Sequence, residues 1–426
     1  MEEESWDMLR STHYVNRRLR SRIIAIAITG LATMLVAGCG DDSSSGSSGG
    51  KKVSATPPAS GCGSFDLPAV RDPSGAAAAL PKAQRDALTS LSVDKSKWAN
   101  FKPKGDPPYT VGIVWTAPVN DFIIQLLENV KSDLKKTGIV GDVPTTIAGD
   151  AVNVPLQIQQ MRAMIEKSPD AILTLPLQPE AFVAVTEKAA SKNIPVMSFF
   201  GTVPSASAIN MDANAALGAA RVTSNVVRSL GGKGSVVTVE GILSTTVNNQ
   251  TMEGVKAVLK NCPDIKNLGT AVGSFSNAAA KAGLSKFLAT HPQKVDGVVQ
   301  FGGMGPGVIE AFQTGGRPVP LIGDIGVSKG SLAYWRDNRA NYPGTGTGQS
   351  AAGSSQAIAE ALKRLLSGGG PKVNALVPSV VMVTDSNLDD WVEDSWTIKT
   401  PGLADGPPGS FMSSEFMGPF FNNQTD

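Results

Sequence analysis

From Tyr109 onward, short β-branched runs alternate with longer stretches in which apolar residues recur every three or four positions. YTVGIVW (109–115) reads as a strand, and NDFIIQLLENVKSDLKKTG (120–138) has helical periodicity and stops at a glycine. VPTTIAGD begins another strand, followed by a helix in VPLQIQQMRAMIEKS, a strand in AILTLPL, a helix in PEAFVAVTEKAASKN and a strand in IPVMSFF. After Asp212 a second series runs from a helix ending at Leu230 through GSVVTVEG, VNNQTMEGVKAVLKN, NLGTAVGSF, NAAAKAGLSKFLATH, VDGVVQFG and PGVIEAFQTG to VPLIGDIG. Strands alternating with helices of this length are βαβ units, whose crossover helices cover both faces of a parallel sheet. Two such series predict an α/β fold of two doubly wound parallel-sheet lobes. In open parallel sheets ligands collect at the carboxyl ends of the strands. Two lobes with those ends facing each other form a cleft that closes by hinge bending.

The chain before Tyr109 has a different pattern. Arg17, Arg18, Arg20 and Arg22 precede an uncharged apolar run from Ile23 to Ala37. That run is too short to span a bilayer and suits the core of a signal peptide. Val36-Ala37-Gly38-Cys39 resembles a bacterial lipobox, which implies that Cys39 carries a lipid and begins the mature chain. The alternative is a plain secretory signal with Cys39 as an ordinary buried thiol. Asp41, Asp42 and the Ser/Gly tract after them have the composition of a tether and favour the lipid. Residues 1–38 are thus expected to be a lipoprotein signal peptide and 39–107 a flexible tether and extension, with one helix around Pro81 to Leu91.

Charge and rare residues narrow the chemistry. The chain carries 38 Lys+Arg against 37 Asp+Glu, and without residues 1–38 the two are equal at 33. A neutral domain has no long-range field for nucleic acid or anionic lipid. Two histidines, His13 and His291, leave little room for metal sites or for Ser-His and Cys-His catalysis. The glycine clusters FGGMGPG and GTGTGQ lack the spacing of phosphate-binding or nucleophile-elbow motifs. No enzyme, metal or cofactor is expected. With Cys39 lipidated, Cys62 and Cys262 remain. They could pair in an oxidising compartment, although Cys62 falls in the segment read as mobile.

At this point the residues carry a resemblance. Residues 109 to about 388 resemble the type I solute-binding proteins of ABC importers, the group that binds sugars such as ribose. Asn120-Asp121-Phe122 resembles the first ligand loop of that family. The stretch from Ala148 to Ser198 follows it closely, with Asp150, Asn153, Gln160 and the IPV at Ile194. NMDANAALG, GGKGSVVTVEG, PGVIEAFQTGG and VPSVVMVTDSNL continue the match in order. The resemblance implies three chain crossings between lobes, near Met211, Thr347 and Lys372, with Gln349 at one of them. The N-terminal lobe is then 108–211 plus 349–372, the C-terminal lobe 212–348 plus 373–388, and 389–426 a C-terminal extension. In that extension Trp391 and Trp396 are expected to pack on a lobe, and the Pro/Gly-rich remainder with Phe416, Phe420 and Phe421 to be disordered or a partner contact.

Departures from the family bear on the ligand. Sugar binders of this group typically place an Asp, and often an Arg, after the IPV strand; here Phe200 and Gly201 stand there. A second Arg is replaced around Thr251, and an Asn-Asp pair by Phe301 and Gly302. Asp324 is close to a family aspartate and is kept as a ligand candidate, although it falls one residue early, where strand alternation could point it away from the cleft. A buried sugar hydroxyl left unpaired costs about 1–3 kcal/mol, so the losses disfavour a pentose. Trp115, Phe122, Phe199, Phe200 and Phe301 at strand ends suit an apolar or aromatic solute instead. Strand alternation lets only one of Phe199 and Phe200 face the cleft, and Phe200 is the one expected there. For Trp115 core packing is a nearly equal reading. Thr116, Asn120, Asn153 and Gln349 are of the type that hydrogen-bonds a ligand, although each is equally suited to capping a helix.

The reading is a monomeric, lipid-anchored solute-binding protein on the outer side of the cytoplasmic membrane. It would capture a small solute by cleft closure and deliver it to an ABC permease. The alternative is a tethered sensor that presents its solute to a membrane receptor or kinase.

Overall fold

The computed structural model describes residues 61–118, 120–149, 153–176, 178–243 and 245–422. The signal segment, Cys39, the first part of the tether and Asp150 lie outside the described residues.

Two sheets organise the chain. In the first, the spatial order is Ala375–Leu376, Ala208–Met211, Val196–Phe199, Ala171–Thr174, Tyr109–Trp115, Val140–Asp142, with Thr145–Ile147 also pairing with Tyr109–Trp115. Each of these pairings is parallel. The second sheet runs Met382–Val383, Thr345–Thr347, Leu321–Ile325, Gly297–Phe301, Gly234–Glu240, Ile265–Val272. It is parallel apart from the antiparallel first pair. Strands such as Ala171–Thr174 and Gly297–Phe301 are buried throughout, as apolar runs covered on both faces must be.

The helices show why the sequence folds this way. Asn120 accepts a hydrogen bond from the Ile123 amide at 3.0 Å and starts the helix Asp121–Lys136. Its inner face places Leu126, Val130 and Leu134 fully out of water. Each such side chain contributes about 1.5–3 kcal/mol by burial, and Leu126→Ala would cost about 2–5 kcal/mol. This helix packs against Ala351–Leu366, which ties that later segment to the first sheet's lobe.

Between Tyr109 and Leu388 the chain passes between lobes three times. It leaves the first sheet after Met211 for the helix Ala215–Ser229, which packs on the second sheet. It returns between Thr347 and Ala351, and crosses again between Leu376 and Met382. The last crossing therefore lies beyond the position near Lys372 read from the sequence. Ala375 and Leu376 pair with Asn210 and Met211, so they belong to the first sheet and not to the C-terminal lobe.

Residues 61–107, read as part of a flexible extension, are folded onto both lobes from Gly61 on. Cys62 is disulfide-bonded to Cys262, and Arg228 donates to the Gly63 carbonyl at 3.1 Å. Further along, Leu88, Trp98 and Phe101 are buried in the first lobe's core, and Trp98 Nε1 donates to the Ser207 carbonyl at 2.7 Å. The C-terminal segment is likewise packed. Trp391 is buried in the second core, whereas Phe411, Met417, Phe420 and Phe421 are buried in the first. Apolar area decides the outcome: four buried phenylalanine and methionine side chains outweigh a Pro/Gly-rich composition that by itself suggests disorder.

Among the described residues no helix is long and apolar enough to cross a membrane.

Candidate functional site

The carboxyl ends of strands from both sheets border a cavity of about 430 Å³. From the first lobe, strand Tyr109–Trp115 leads into Thr116, and Asn120, Asp121, Phe122 and Ile123 follow at the start of the next helix. Phe200 follows the strand Val196–Phe199 with φ 50°, a left-handed conformation that leaves it half-buried at the cavity while Phe199 is fully buried. The Phe200 ring lies 5.6 Å from Phe122 and 4.1 Å from Phe199, and Phe199 lies 6.3 Å from Phe411. A row of four phenylalanines results, of which Phe122, Phe200 and Phe411 border the cavity.

From the second lobe come Phe275, Ser276, Phe301, Gly302 and Ile325. Phe275 also has a positive φ of 56°. Its ring lies against Gly241, where a Cβ would come within 2.1 Å of it, so only glycine leaves room for the ring. The crossings contribute Asn214, Thr347, Gln349, Pro378 and Ser379, and the C-terminal segment contributes Leu403, Ser410 and Phe411. Asn120 Nδ2 donates to the Phe275 carbonyl oxygen at 3.5 Å, joining the two lobes at the cavity.

Six residues singled out in the sequence border this cavity: Thr116, Asn120, Phe122, Phe200, Gln349 and Phe301, the last only at its edge, since its ring is packed in the second lobe's core at 1% exposure. Three do not. Trp115 is buried in the first lobe's core at 1% exposure, its indole Nε1 without a partner among the described residues. Asn153 is exposed and accepts from the Leu156 amide at 3.1 Å as the cap of helix Val154–Glu166. Asp324 is buried inside the second lobe, where Gln300 donates to its carboxylate. In each strand-end pair the parity of one residue decides: Thr116 and not Trp115, Phe200 and not Phe199, Ile325 and not Asp324 reach the cavity. Phe275 was missed, although it ends the same kind of strand-to-loop step. Leu403 and Phe411 carry no sequence signal.

The wall is nearly neutral. Asp121 is the one charged residue among the described residues that border the cavity. The arginine that the resemblance implies after the IPV strand has no room here, since a Cβ on Gly201 would lie 2.3 Å from the Pro176 carbonyl oxygen. Several polar groups in the wall are committed to the protein itself. Asn214 donates to the Ala87 and Thr89 carbonyls, Thr251 donates to the Val247 carbonyl, and Thr347 accepts from the Gly326 amide. Thr116, Ser276, Gln349 and Ser379 have no side-chain partner among the described residues. The wall thus offers a few free hydroxyls and one amide set among aromatic faces.

Two buried carboxyls flank the cleft without entering it. Burial pushes Asp212, at the first crossing, up to about 7, against the opposing pull of hydrogen bonds from Thr202 and the Ala213 amide. Asp324 is likewise pushed up by burial to about 7, opposed by Ser331, Gln300 and the Ser328 amide. No group of His, Cys, Asp or Glu able to hold a metal occurs among the described residues.

Residues 111–370 match the family model of the periplasmic binding protein domain. A xylitol-binding protein of Mycolicibacterium smegmatis is 28% identical over 181 residues, 42% of this chain and 52% of that protein. The chain thus spans about half the length of this curated relative. An ABC transporter solute-binding protein from Thermobispora bispora superposes with a TM-score of 0.60 at 23% identity, over 66% of this chain and 87% of that one. A solute-binding protein from Bacillus halodurans with bound myo-inositol gives a TM-score of 0.59 at 15% identity, over 67% and 98% of the two chains.

Proposed function

Because the chain belongs to the periplasmic binding protein family, whose members bind solutes without transforming them, we propose that it captures a neutral small solute for an ABC importer. The observation that carries this reading is the cavity itself: about 430 Å³, placed where the strand ends of two lobes meet, and bordered among the described residues by a single charged side chain. Thr116, Asn120, Phe122 and Phe200 of the first lobe and Gln349 at a crossing make the first contacts, with Phe275 from the second lobe. Gln349 and the free hydroxyls hold the solute's polar groups, and the phenylalanines hold its carbon faces. Xylitol and myo-inositol, bound by the relatives named above, are neutral polyhydroxylated molecules and define the class from which the solute comes.

The solute is received outside the cytoplasm. The disulfide between Cys62 and Cys262 suits an oxidising compartment. Cys39, in its lipobox-like setting, anchors the chain to the membrane, and the lobes act as a monomer that a permease reads by their closure.

A thermal-shift screen of the chain beginning at Cys39, against neutral polyols, pentoses and their aryl and alkyl derivatives, tests the solute. At a hundredfold excess over its dissociation constant, a true ligand adds about 2.7 kcal/mol of stability. A melting temperature unmoved by the whole panel would sink the reading. For the anchor, Cys39→Ala should abolish incorporation of labelled fatty acid and release the protein into the soluble fraction.

A further inference from the structure

Residues 402–411 lie beyond the family-matched region, yet they form part of the cavity wall. On one side they are fixed to the second lobe: the Lys329 backbone amide donates to the Gly402 carbonyl at 3.0 Å, and the Ala404 amide donates to the Val327 carbonyl at 3.0 Å. Leu403 points over Gly303, where a Cβ would lie 2.5 Å from its Cδ2. Only glycine at 303 lets the leucine reach the cavity. On the other side the segment is fixed to the first lobe. Asp405 accepts from the Ser350 hydroxyl at 2.9 Å and from the Ala352 amide at 3.1 Å. Phe411 is buried in the first lobe's core and extends the row formed by Phe122, Phe200 and Phe199.

We propose that this strap is a specificity element, in which Leu403 and Phe411 complete an apolar wall that selects solutes bearing a hydrocarbon or aryl group beside their hydroxyls over plain polyols. The inference rests on the solute-binding reading and narrows its substrate class. Leu403 closes the second-lobe side and Phe411 the first-lobe side, so an apolar group between them leaves water on both faces. A plain polyol set there would turn hydroxyls toward side chains that cannot pair with them.

The test uses D-xylose and phenyl β-D-xylopyranoside as probes, with calorimetric titration of the full mature chain, Leu403→Ser and Phe411→Leu. Leu403 is only half-buried, so its replacement keeps the fold, and Phe411→Leu keeps an apolar filling of the core. The wild type should bind the phenyl glycoside at least about tenfold tighter than the free sugar. Each variant should lower that ratio by about fivefold or more, with its melting temperature retained. A wild-type ratio near one, or a ratio unmoved in both folded variants, overturns the inference and leaves solute binding intact. A wild type that binds neither of these probes nor any member of the wider panel overturns the solute-binding reading, and this inference with it.

Discussion

Asn120 and Phe275 meet across the cleft, the side-chain amide of one donating to the backbone carbonyl of the other at 3.5 Å. The same Asn120 side chain accepts from the Ile123 amide and starts a helix. One residue therefore fixes a helix of the first lobe and touches the loop of the second. Asn120→Asp keeps the acceptor and loses the donor, whereas Asn120→Ala loses both. The alanine variant should lower stability by about 1 kcal/mol, and the aspartate variant by less, while both weaken solute binding. Denaturant titration beside calorimetry separates the two roles; equal stability of the three proteins would remove the capping argument.

The disulfide between Cys62 and Cys262 joins residues 200 apart in sequence. It fixes a segment that begins on the second lobe and ends, at Trp98 and Phe101, in the core of the first. Closing so long a loop restricts the unfolded chain, and its loss costs about 2–5 kcal/mol. Cys262→Ser, or reduction of the wild type, should lower the free energy of unfolding by that amount and the unfolding midpoint with it. The cysteines lie away from the cavity, so solute affinity should stay within about twofold. An unchanged midpoint under reducing conditions would show that the bond contributes nothing to the fold.

Asp212 and Asp324 give the protein an acid-favoured stability. Burial holds each carboxyl protonated up to about 7, while an unfolded aspartate loses its proton near about 4. The folded chain binds more protons than the unfolded one between these limits. The stabilisation is therefore fully present below about pH 4 and is lost as pH rises through about 7. Melting temperature should be higher at about pH 5 than at about pH 8. Asp212→Asn and Asp324→Asn together should flatten that difference, and a wild-type profile that rises over the same interval would contradict the assignment.

The alternation of strands and helices was readable because apolar period is a local property, and the two lobes followed from it. The ligand positions depended on something finer. Asp324 and Ile325, or Trp115 and Thr116, differ by one place in a strand, and that one place moves a side chain from core to cavity. Alternation separated Phe199 from Phe200 because the two neighbours are chemically alike and only their direction was in question. Asp324 was carried into the site by a family position that this strand does not keep in register. The third crossing was misplaced because Ala375 and Leu376 form a two-residue strand, too short for a periodic signal. Leu403 and Phe411 were out of reach for another reason: their places are set by contacts with Gly303, Val327 and Ser350, distant in sequence and visible only after folding.

Phe200 stands where the resemblance to sugar binders implies an aspartate, and Phe200→Asp supplies one. The residue sits at φ 50°, a conformation that aspartate adopts more readily than a bulky side chain, so the backbone tolerates the change. What is lost is the ring that stacks beside Phe122 and Phe199. Phe200→Asp should weaken binding of an aryl-bearing solute by about tenfold, equivalent to about 1.4 kcal/mol, in line with the worth of an aromatic contact plus its buried area. For a plain polyol the new carboxylate adds a charged acceptor for hydroxyl groups, and affinity should hold or rise. Calorimetry on both probes decides the matter. If the two affinities change in parallel, or neither changes, Phe200 borders the cavity without touching the solute, and the aromatic row serves packing alone.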